Sequence, residues 1–149
     1  MSGPPTIHPA LTRHTGFLIS RMGHVAQKRF AERIAKVGLH PRMWGALNVI
    51  SAQEGVTQHA LCGSVGVDPS TMVATIDELE QRGLVERRPH PNDRRAHALY
   101  ITDRGSETLT KGREQAKLAQ EELLAPLSRE EREQLHALLL RLALATNET

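Results

Sequence analysis

Between Gly66 and Gly105 the chain reads GVDPSTMVATIDELEQRGLVERRPHPNDRRAHALYITDRG. Asp68 followed by Pro69 is a strong helix start, because the Asp side chain can accept from a first-turn amide and Pro has no amide to satisfy. Apolar residues then recur on one side of the predicted helix: Met72, Val73, Ile76 and Leu79. Gly83 ends this helix. The stretch therefore predicts a helix over residues 68–82, followed without a gap by a hairpin.

The N-terminal part of the chain is predicted to be helical. After a frayed terminus at residues 1–7, which contain Gly3, Pro4 and Pro5, an apolar stripe over residues 9–37 indicates one long helix. A second helix is predicted over residues 41–52, where Pro41 suits the first turn. A third, capped by Thr57, is predicted to run through about residue 64. Gly66 lies where this third helix would end in the left-handed conformation.

The C-terminal part is predicted to form a hairpin and two more helices. Extended segments are expected at residues 84–88 and 97–101, joined by a turn rich in Pro, Asn and Asp. Thr102 caps a helix to about residue 125, and Ser128 with Glu131 forms a capping box that opens the last helix. One face of that helix carries Leu135, Leu138, Leu139 and Leu142. These leucines and the apolar stripe over residues 9–37 form more apolar surface than a small lobe can cover, which predicts a homodimer.

The predicted fold class is mainly α with a small β-hairpin wing, a winged helix-turn-helix with N- and C-terminal dimerisation helices. The expected division is an N-terminal dimerisation helix over residues 1–37, a DNA-binding lobe over residues 38–104 and C-terminal dimerisation helices over residues 105–149. A chain of 149 residues with 39% hydrophobic content is long enough to bury one core.

Composition excludes several classes of function. Aromatic residues make up only 3% of the chain, which leaves no stacking platform for single-stranded bases. The single Cys62 cannot form an internal disulfide, and no apolar run reaches the length of a leader or a membrane span. We therefore expect a cytoplasmic protein with no membrane partner. The net charge of +2 is small, but residues 82–106 carry six arginines against three acids.

The polar side of the 68–82 helix fits the major groove of DNA. Its side chains are short, so the helix can lie deep, and its hydroxyls can meet base edges or phosphates. The predicted contacts are Ser70, Thr71, Ala74 and Thr75. Asp77, Glu78 and Glu80 lie toward the other end, where Glu78 is placed to pair with Arg82. The same pattern is equally typical of an amphipathic helix in any helical domain, so the hairpin decides between the two.

Arginines at the hairpin tip favour DNA binding over a merely solvated loop. Arg94 and Arg95 can reach a minor groove, where narrow A/T tracts concentrate negative potential. Asp93 is expected to stabilise the wing by a bidentate pair with Arg95, leaving Arg94 free to insert. Arg87 and Arg88 alternate faces at the base of the wing, so one is predicted to contact phosphate and the other solvent. Double-stranded DNA is the predicted partner.

The run from Leu79-Glu80 through Gly83-Leu84-Val85-Glu86-Arg87, then Asp93-Arg94-Arg95, then Leu99 to Thr102 and Gly105, resembles the MarR family of bacterial transcription regulators. The resemblance extends over most of the chain. It implies a homodimer in which Ser70, Thr71, Ala74 and Thr75 face the major groove and Arg94 faces the minor groove. One departure is Ala60 to Ser64, where the family usually has a Leu-Ala pair and charged residues. Gly63 is therefore expected to loosen that helix.

The resemblance also implies a ligand-responsive repressor that binds a palindromic operator. A ligand pocket would lie between the dimer helices and the DNA-binding lobe. The candidate residues for binding a small aromatic or phenolic anion there are Arg13, His14, Arg21 and Trp44. An effector would change the distance between the two recognition helices, which should otherwise fit half-sites about 10 base pairs apart.

Two other functions were weighed. A winged helix can act as a protein-interaction adaptor without DNA binding, its arginines meeting an acidic partner. An enzyme is not expected, because no nucleophile, base and orienter set and no phosphate-cradling glycine loop is present. No metal site or cofactor is expected, since none of the eight histidines has tight ligand spacing to another His or Cys. Cys62 is interpreted as a small core residue.

Overall fold

The computed structural model describes residues 6–146, and the predicted frayed terminus at Gly3, Pro4 and Pro5 lies outside them. The helices of this part are α1 Pro9–Thr12, α2 Thr15–Ala35, α3 Pro41–Ala52, α4 Gln58–Val65, α5 Pro69–Gln81, α6 Asp103–Leu123 and α7 Arg129–Thr146. Its strands are β1 Val56–Thr57, β2 Val85–His90 and β3 Asp93–Ile101. The fold is mainly helical with a small antiparallel sheet, which confirms the predicted fold class.

Capping residues set the helix ends around the helix-turn-helix as predicted. The Thr57 hydroxyl accepts from the Ala60 amide at 3.1 Å and begins α4. The Gly66 backbone, with φ of 74°, ends α4 in the left-handed region that favours glycine. Gly83, with φ of 71°, turns the chain from α5 into β2. Each glycine lies just after a helix, at a point where the chain turns sharply.

The N-terminal helix is not continuous, contrary to the sequence prediction. It is divided into α1 and α2 at Arg13 and His14, and His14 is extended, with φ of −102° and ψ of 109°. At the break the Thr12 hydroxyl donates to the Pro9 carbonyl at 3.0 Å, and the His14 amide donates to the Leu11 carbonyl at 3.1 Å.

The sheet has the strand order β1-β3-β2, with both pairings antiparallel. In the wing, Val85 pairs with Ile101 and Arg87 with Leu99, and the hairpin continues to His90 opposite Asp93 past a bulge at Pro89 and His90. The two wing strands are longer than predicted, and β1 was not predicted. A strand of two residues carries no periodicity of its own.

The buried core packs α5, the predicted recognition helix, against α3, α4 and β2. It comprises Ile34, Leu39, Met43, Ala46, Leu47, Ile50, Val56, Leu61, Met72, Ile76, Leu79, Leu84, Val85, Leu99 and Leu109. Helix α6 packs closely on the start of the wing at Gly105, where a Cβ atom would lie 2.0 Å from the Leu84 carbonyl oxygen. Cys62 packs half-buried against this core, in agreement with its predicted role.

Helix α7 contrasts with this core, because none of its residues is buried. Its exposed leucines are Leu138, Leu139, Leu140, Leu142 and Leu144. The Ser128 and Glu131 capping box that opens it forms as predicted, with reciprocal bonds of 2.8 and 3.2 Å. Across residues 6–146, no helix has the length and apolar character needed to traverse a bilayer.

Candidate DNA-binding interface

Asp68 organises the N-terminus of α5. Its Oδ1 accepts from the Ser70 hydroxyl at 2.6 Å and from the Thr71 amide at 3.0 Å, and its Oδ2 accepts from the Thr71 hydroxyl at 2.6 Å. These bonds, that from Ser70 foremost, hold the pKa of the Asp68 carboxyl far below its ordinary value. The first turn of α5 therefore carries a permanently ionised cap that fixes both hydroxyl groups.

The face of α5 that is open to solvent differs from the prediction at two positions. Ser70 and Ala74 are exposed and Thr71 is half-buried. Thr75 is only 4% exposed, and its hydroxyl donates to the Thr71 carbonyl at 2.8 Å, so its predicted groove-facing position is wrong. Position 75 is three residues after Met72 and four before Leu79, which places it on the core side at 3.6 residues per turn. Val73, predicted on the apolar side, is exposed instead.

Arg87 fastens the base of the wing to the recognition helix. Its Nη2 donates to Asp77 Oδ1 at 2.6 Å and to Gln58 Oε1 at 3.4 Å, and its Nη1 donates to Glu80 Oε1 at 3.2 Å. Its backbone amide donates to Glu80 Oε2 at 3.2 Å. The side chain is only 19% exposed. Arg87 thus bonds to α4 and α5. Its guanidinium is therefore not available for the phosphate contact that was predicted for either Arg87 or Arg88.

Arg88 lies on the opposite face of the wing. Its guanidinium stacks on the Tyr100 ring at 4.2 Å from the centroid and donates to Glu86 at 2.9 Å. It remains more than half exposed. The alternation of the two arginines is therefore as predicted, with Arg88 as the member open to solvent.

The wing tip presents two exposed arginines, Arg94 and Arg95. Asp93 Oδ1 accepts from the Arg95 backbone amide at 2.9 Å, rather than forming the predicted bidentate pair with its guanidinium. An Asp at a turn commonly caps the amide two residues on, and this bond uses the carboxylate locally. Within residues 6–146 neither guanidinium takes part in an ion pair.

The C-terminal end of α5 is tied to the α2–α3 connection. Glu78 accepts from Arg82 at 2.6 Å, as predicted, and from His40 Nε2 at 3.1 Å. Arg82 also donates to the Gly38 carbonyl. The bond from His40, followed by the charge of Arg82, holds the pKa of Glu78 below its ordinary value. His40 Nδ1 meanwhile accepts from the Met43 amide at 3.4 Å and caps α3.

A second group of residues, the Trp44 cluster, lies where α2, α3 and α6 meet and comprises Phe30, Trp44 and Gly112, with Gln115 three residues after Gly112 on α6. The Phe30 and Trp44 rings meet edge to face with centroids 5.0 Å apart. A Cβ atom at Gly112 would lie 3.1 Å from the Trp44 ring, so glycine lets α6 approach. Trp44 Nε1 and Gln115 Oε1 are buried and have no hydrogen-bond partner in the described part of the chain. One buried donor and one buried acceptor are therefore open to a polar partner.

Of the four residues predicted to line a ligand pocket, Trp44 alone belongs to this cluster. Arg13 and His14 lie exposed at the α1–α2 junction, and Arg21 is half-buried on α2. Phe30 and Gln115 were not predicted as site residues, because no motif marks them. A glycine inside α6 at position 112 was the available signal of close packing.

A basic cleft of about 250 Å³ lies on α2, next in sequence to Phe30. It is lined by Arg29, Arg33 and Lys36 together with Glu32 and Glu122. Arg33 pairs with Glu122 of α6. Over residues 6–146 no three His, Cys, Asp or Glu side chains are grouped so as to hold a metal ion.

Comparison with known proteins agrees with this geometry. The family model described as MarR family matches residues 37–96. A protein of Thauera aromatica assigned as a transcriptional regulatory protein for the hcr operon is 33% identical over 144 residues, covering 96% of this chain and 87% of its own. The transcriptional repressor CouR, bound to a 23-mer DNA duplex, superposes with a TM-score of 0.85 at 28% identity, covering 94% of this chain and 99% of its own.

CouR from Rhodococcus jostii RHA1 bound to p-coumaroyl-CoA is also similar, at 30% identity and a TM-score of 0.78, with 91% of this chain and 96% of that one covered. The match to the family model spans the helix-turn-helix and most of the wing, and the two solved structures extend the likeness to the flanking helices. The chain belongs to the MarR family of transcription regulators.

Proposed function

We propose that the protein is a homodimeric, ligand-responsive repressor that binds a palindromic operator. The observation that carries this proposal is the rigid attachment of an arginine-tipped wing to a capped helix through Arg87. In this arrangement Ser70, Thr71 and Ala74 enter the major groove. Arg94 enters the minor groove, and Arg88 and Arg95 meet the backbone beside it.

The dimer is inferred from the apolar surface of the terminal helices. Five leucines of α7 are exposed, as are Leu11, Ile19, Met22 and Leu118 on α1, α2 and α6. Contiguous apolar surface of this kind marks an interface. We infer that residues 1–37 and 105–149 pair with those of a second copy, and that residues 38–104 form the DNA-binding lobe. Such a dimer presents two recognition helices to successive major grooves.

We infer an effector site at the Trp44 cluster that extends to the basic cleft on α2. Phe30 and Trp44 supply an aromatic wall, and the buried Trp44 N–H and Gln115 carbonyl supply a donor and an acceptor. Arg29 and Lys36 offer positive charge at the cleft. CouR is bound to p-coumaroyl-CoA in one of the similar structures. We infer an aromatic acyl effector, with the ring at the cluster and any phosphate groups at the cleft.

The effector site and the recognition helix are joined by a short chain of contacts. Trp44 lies in the first turns of α3, His40 caps that helix, and the His40 ring donates to Glu78 of α5. A shift of α3 against α6 would therefore move α5. Displacing the two recognition helices from successive grooves requires a coupling free energy of only about 1 to 3 kcal/mol. The proposed activity involves no catalytic step, and its place is the cytoplasm, where bacterial DNA lies.

A salt titration of duplex binding tests the proposed function. The wild-type dimer should bind with an affinity that falls steeply as salt rises, and Arg94→Ala should reduce the slope by about one unit per protomer. Arg129→Gln, on α7 and outside the lobe, is the matched control and should keep the wild-type slope. A winged-helix adaptor for proteins would show no duplex affinity, and that result would refute the proposal.

Addition of an aromatic acid or its CoA thioester to the bound complex tests the effector class. An effector of the inferred class should release the duplex and raise the melting temperature of the free protein. Trp44→Phe, which keeps an aromatic ring but removes the buried N–H donor, should weaken the release while leaving duplex binding. Unchanged release in that variant would contradict the placement of the site.

A further inference from the structure

A cleft of about 430 Å³ separates the wing from the start of α4. One wall is made by Thr57, Gln58 and His59, and the other by four wing residues: Asp93, Arg95, Ala96 and His97. Neither histidine has a role in the contacts described so far. The cleft is distinct from the face of α5 and from the arginine Arg94 at the tip.

The register of the wing shows that this cleft opens on the side of the recognition helix. Arg87 pairs with Leu99, and Arg87 reaches from that strand to Gln58 and Asp77. His97 is two residues before Leu99 and lies on the same face of β3, and Arg95, in the irregular stretch before it, also lines the cleft. Both are exposed, as is His59 across the cleft. Three groups able to carry positive charge thus converge beside the surface that meets DNA.

Asp93 is the one acid among the residues that line the cleft. Asp93 accepts from the Arg95 backbone amide at 2.9 Å. Asp77 and Glu80, the acids of α5 nearest the base of the wing, are both bonded to Arg87. The first-turn amides of α4 add the partial positive charge of a helix N-terminus. The cleft is therefore suited to an anion.

We propose that the cleft binds a backbone phosphate of the duplex, held by Arg95, His59 and His97. The inference rests on the proposed function, since it needs DNA seated on α5 and the wing. A phosphate beside an imidazole favours its protonated form. Binding then takes up protons, so affinity rises as pH falls from about 8 to about 6. DNA affinity is thereby linked to pH through the wing.

The test measures duplex affinity by fluorescence anisotropy against salt, at about pH 6 and about pH 8, with a mixed-sequence duplex of about 30 base pairs. The wild-type protein should bind at least about tenfold more tightly at the lower pH. Its salt slope should be steeper there by about one to two units per protomer. Arg95→Gln should reduce the slope by about one unit at both pH values.

The double variant His59→Gln and His97→Gln should bind equally at both pH values, with the wild-type affinity at about pH 8. The control His24→Gln, an exposed histidine on α2, should retain the full pH dependence. Persistence of the pH dependence in the double variant, or its absence in the wild type, would overturn the phosphate site while leaving DNA binding established. Loss of duplex binding by the wild type at both pH values would instead overturn both proposals.

Discussion

Arg87→Gln tests whether the wing and the recognition helix act as one unit. The wild-type guanidinium is 19% exposed, and its carboxylate partners Asp77 and Glu80 are 51% and 43% exposed. A protected charge-assisted hydrogen bond contributes about 1.5 to 3 kcal/mol, whereas an exposed ion pair contributes about 0 to 1 kcal/mol. Because these pairs are half-protected, we expect the variant to lose about 1 to 2 kcal/mol of unfolding free energy. That loss lowers the melting temperature by about 3 to 6 °C.

A double-mutant cycle with Asp77→Asn isolates the contact. Equilibrium denaturation of the wild type, both single variants and the double variant should give a coupling of about 0.5 to 1.5 kcal/mol. Duplex affinity should fall about tenfold in Arg87→Gln, since the freed wing must be ordered again on binding. Arg129→Gln breaks an ion pair that is almost wholly exposed, and its stability should stay within about 0.5 kcal/mol of the wild type.

Additive effects of Arg87→Gln and Asp77→Asn, within about 0.3 kcal/mol, would refute the reasoning, because the bond between wing and helix would then have no energetic weight. Normal duplex affinity in a destabilised Arg87→Gln variant would separate the contact from function and refute its role in binding.

Four further outcomes are expected. Gly105→Ala should cost more than about 2 kcal/mol in denaturant unfolding, because its Cβ meets a carbonyl oxygen, whereas Gly63→Ala, in open space on α4, should gain about 0.5 to 1 kcal/mol. The lowered pKa of Glu78 means that its charged form stabilises the fold, so Glu78→Gln should be less stable than the wild type at neutral pH. In thermal melts this difference in stability should shrink as the pH falls below about 4.3. Asp68→Ala should be less stable than the wild type and lose most duplex affinity, while Asp68→Asn, which keeps a cap acceptor, should lose less of both. Leu142→Arg should shift sedimentation toward the monomer, and an unchanged dimer would place the interface elsewhere.

Local rules predicted the elements of the lobe from sequence because the deciding interactions span only a few residues. The Asp68 cap, the left-handed glycines and the Ser128 capping box are fixed within one turn of chain. The break after Thr12 escaped prediction because the apolar residues recur on both sides of it and neither glycine nor proline marks it.

The tertiary partners of charged residues were harder to predict. Arg87 lies seven residues from Glu80 and ten from Asp77, so only the fold brings them together. The burial of Thr75 follows from its position between Met72 and Leu79 on the helix, but its polar side chain suggested an exposed position. The Trp44 cluster draws on three helices distant in sequence, and its unpartnered polar atoms become visible only once burial is known.

Selection of bound duplexes from a random pool, followed by sequencing, tests most directly whether two copies of this helix and wing read DNA together. We expect an enriched inverted repeat with half-site centres about one helical turn, or 10 base pairs, apart. Enrichment of a single unrepeated site, or of no sequence at all, would contradict a symmetric dimeric repressor.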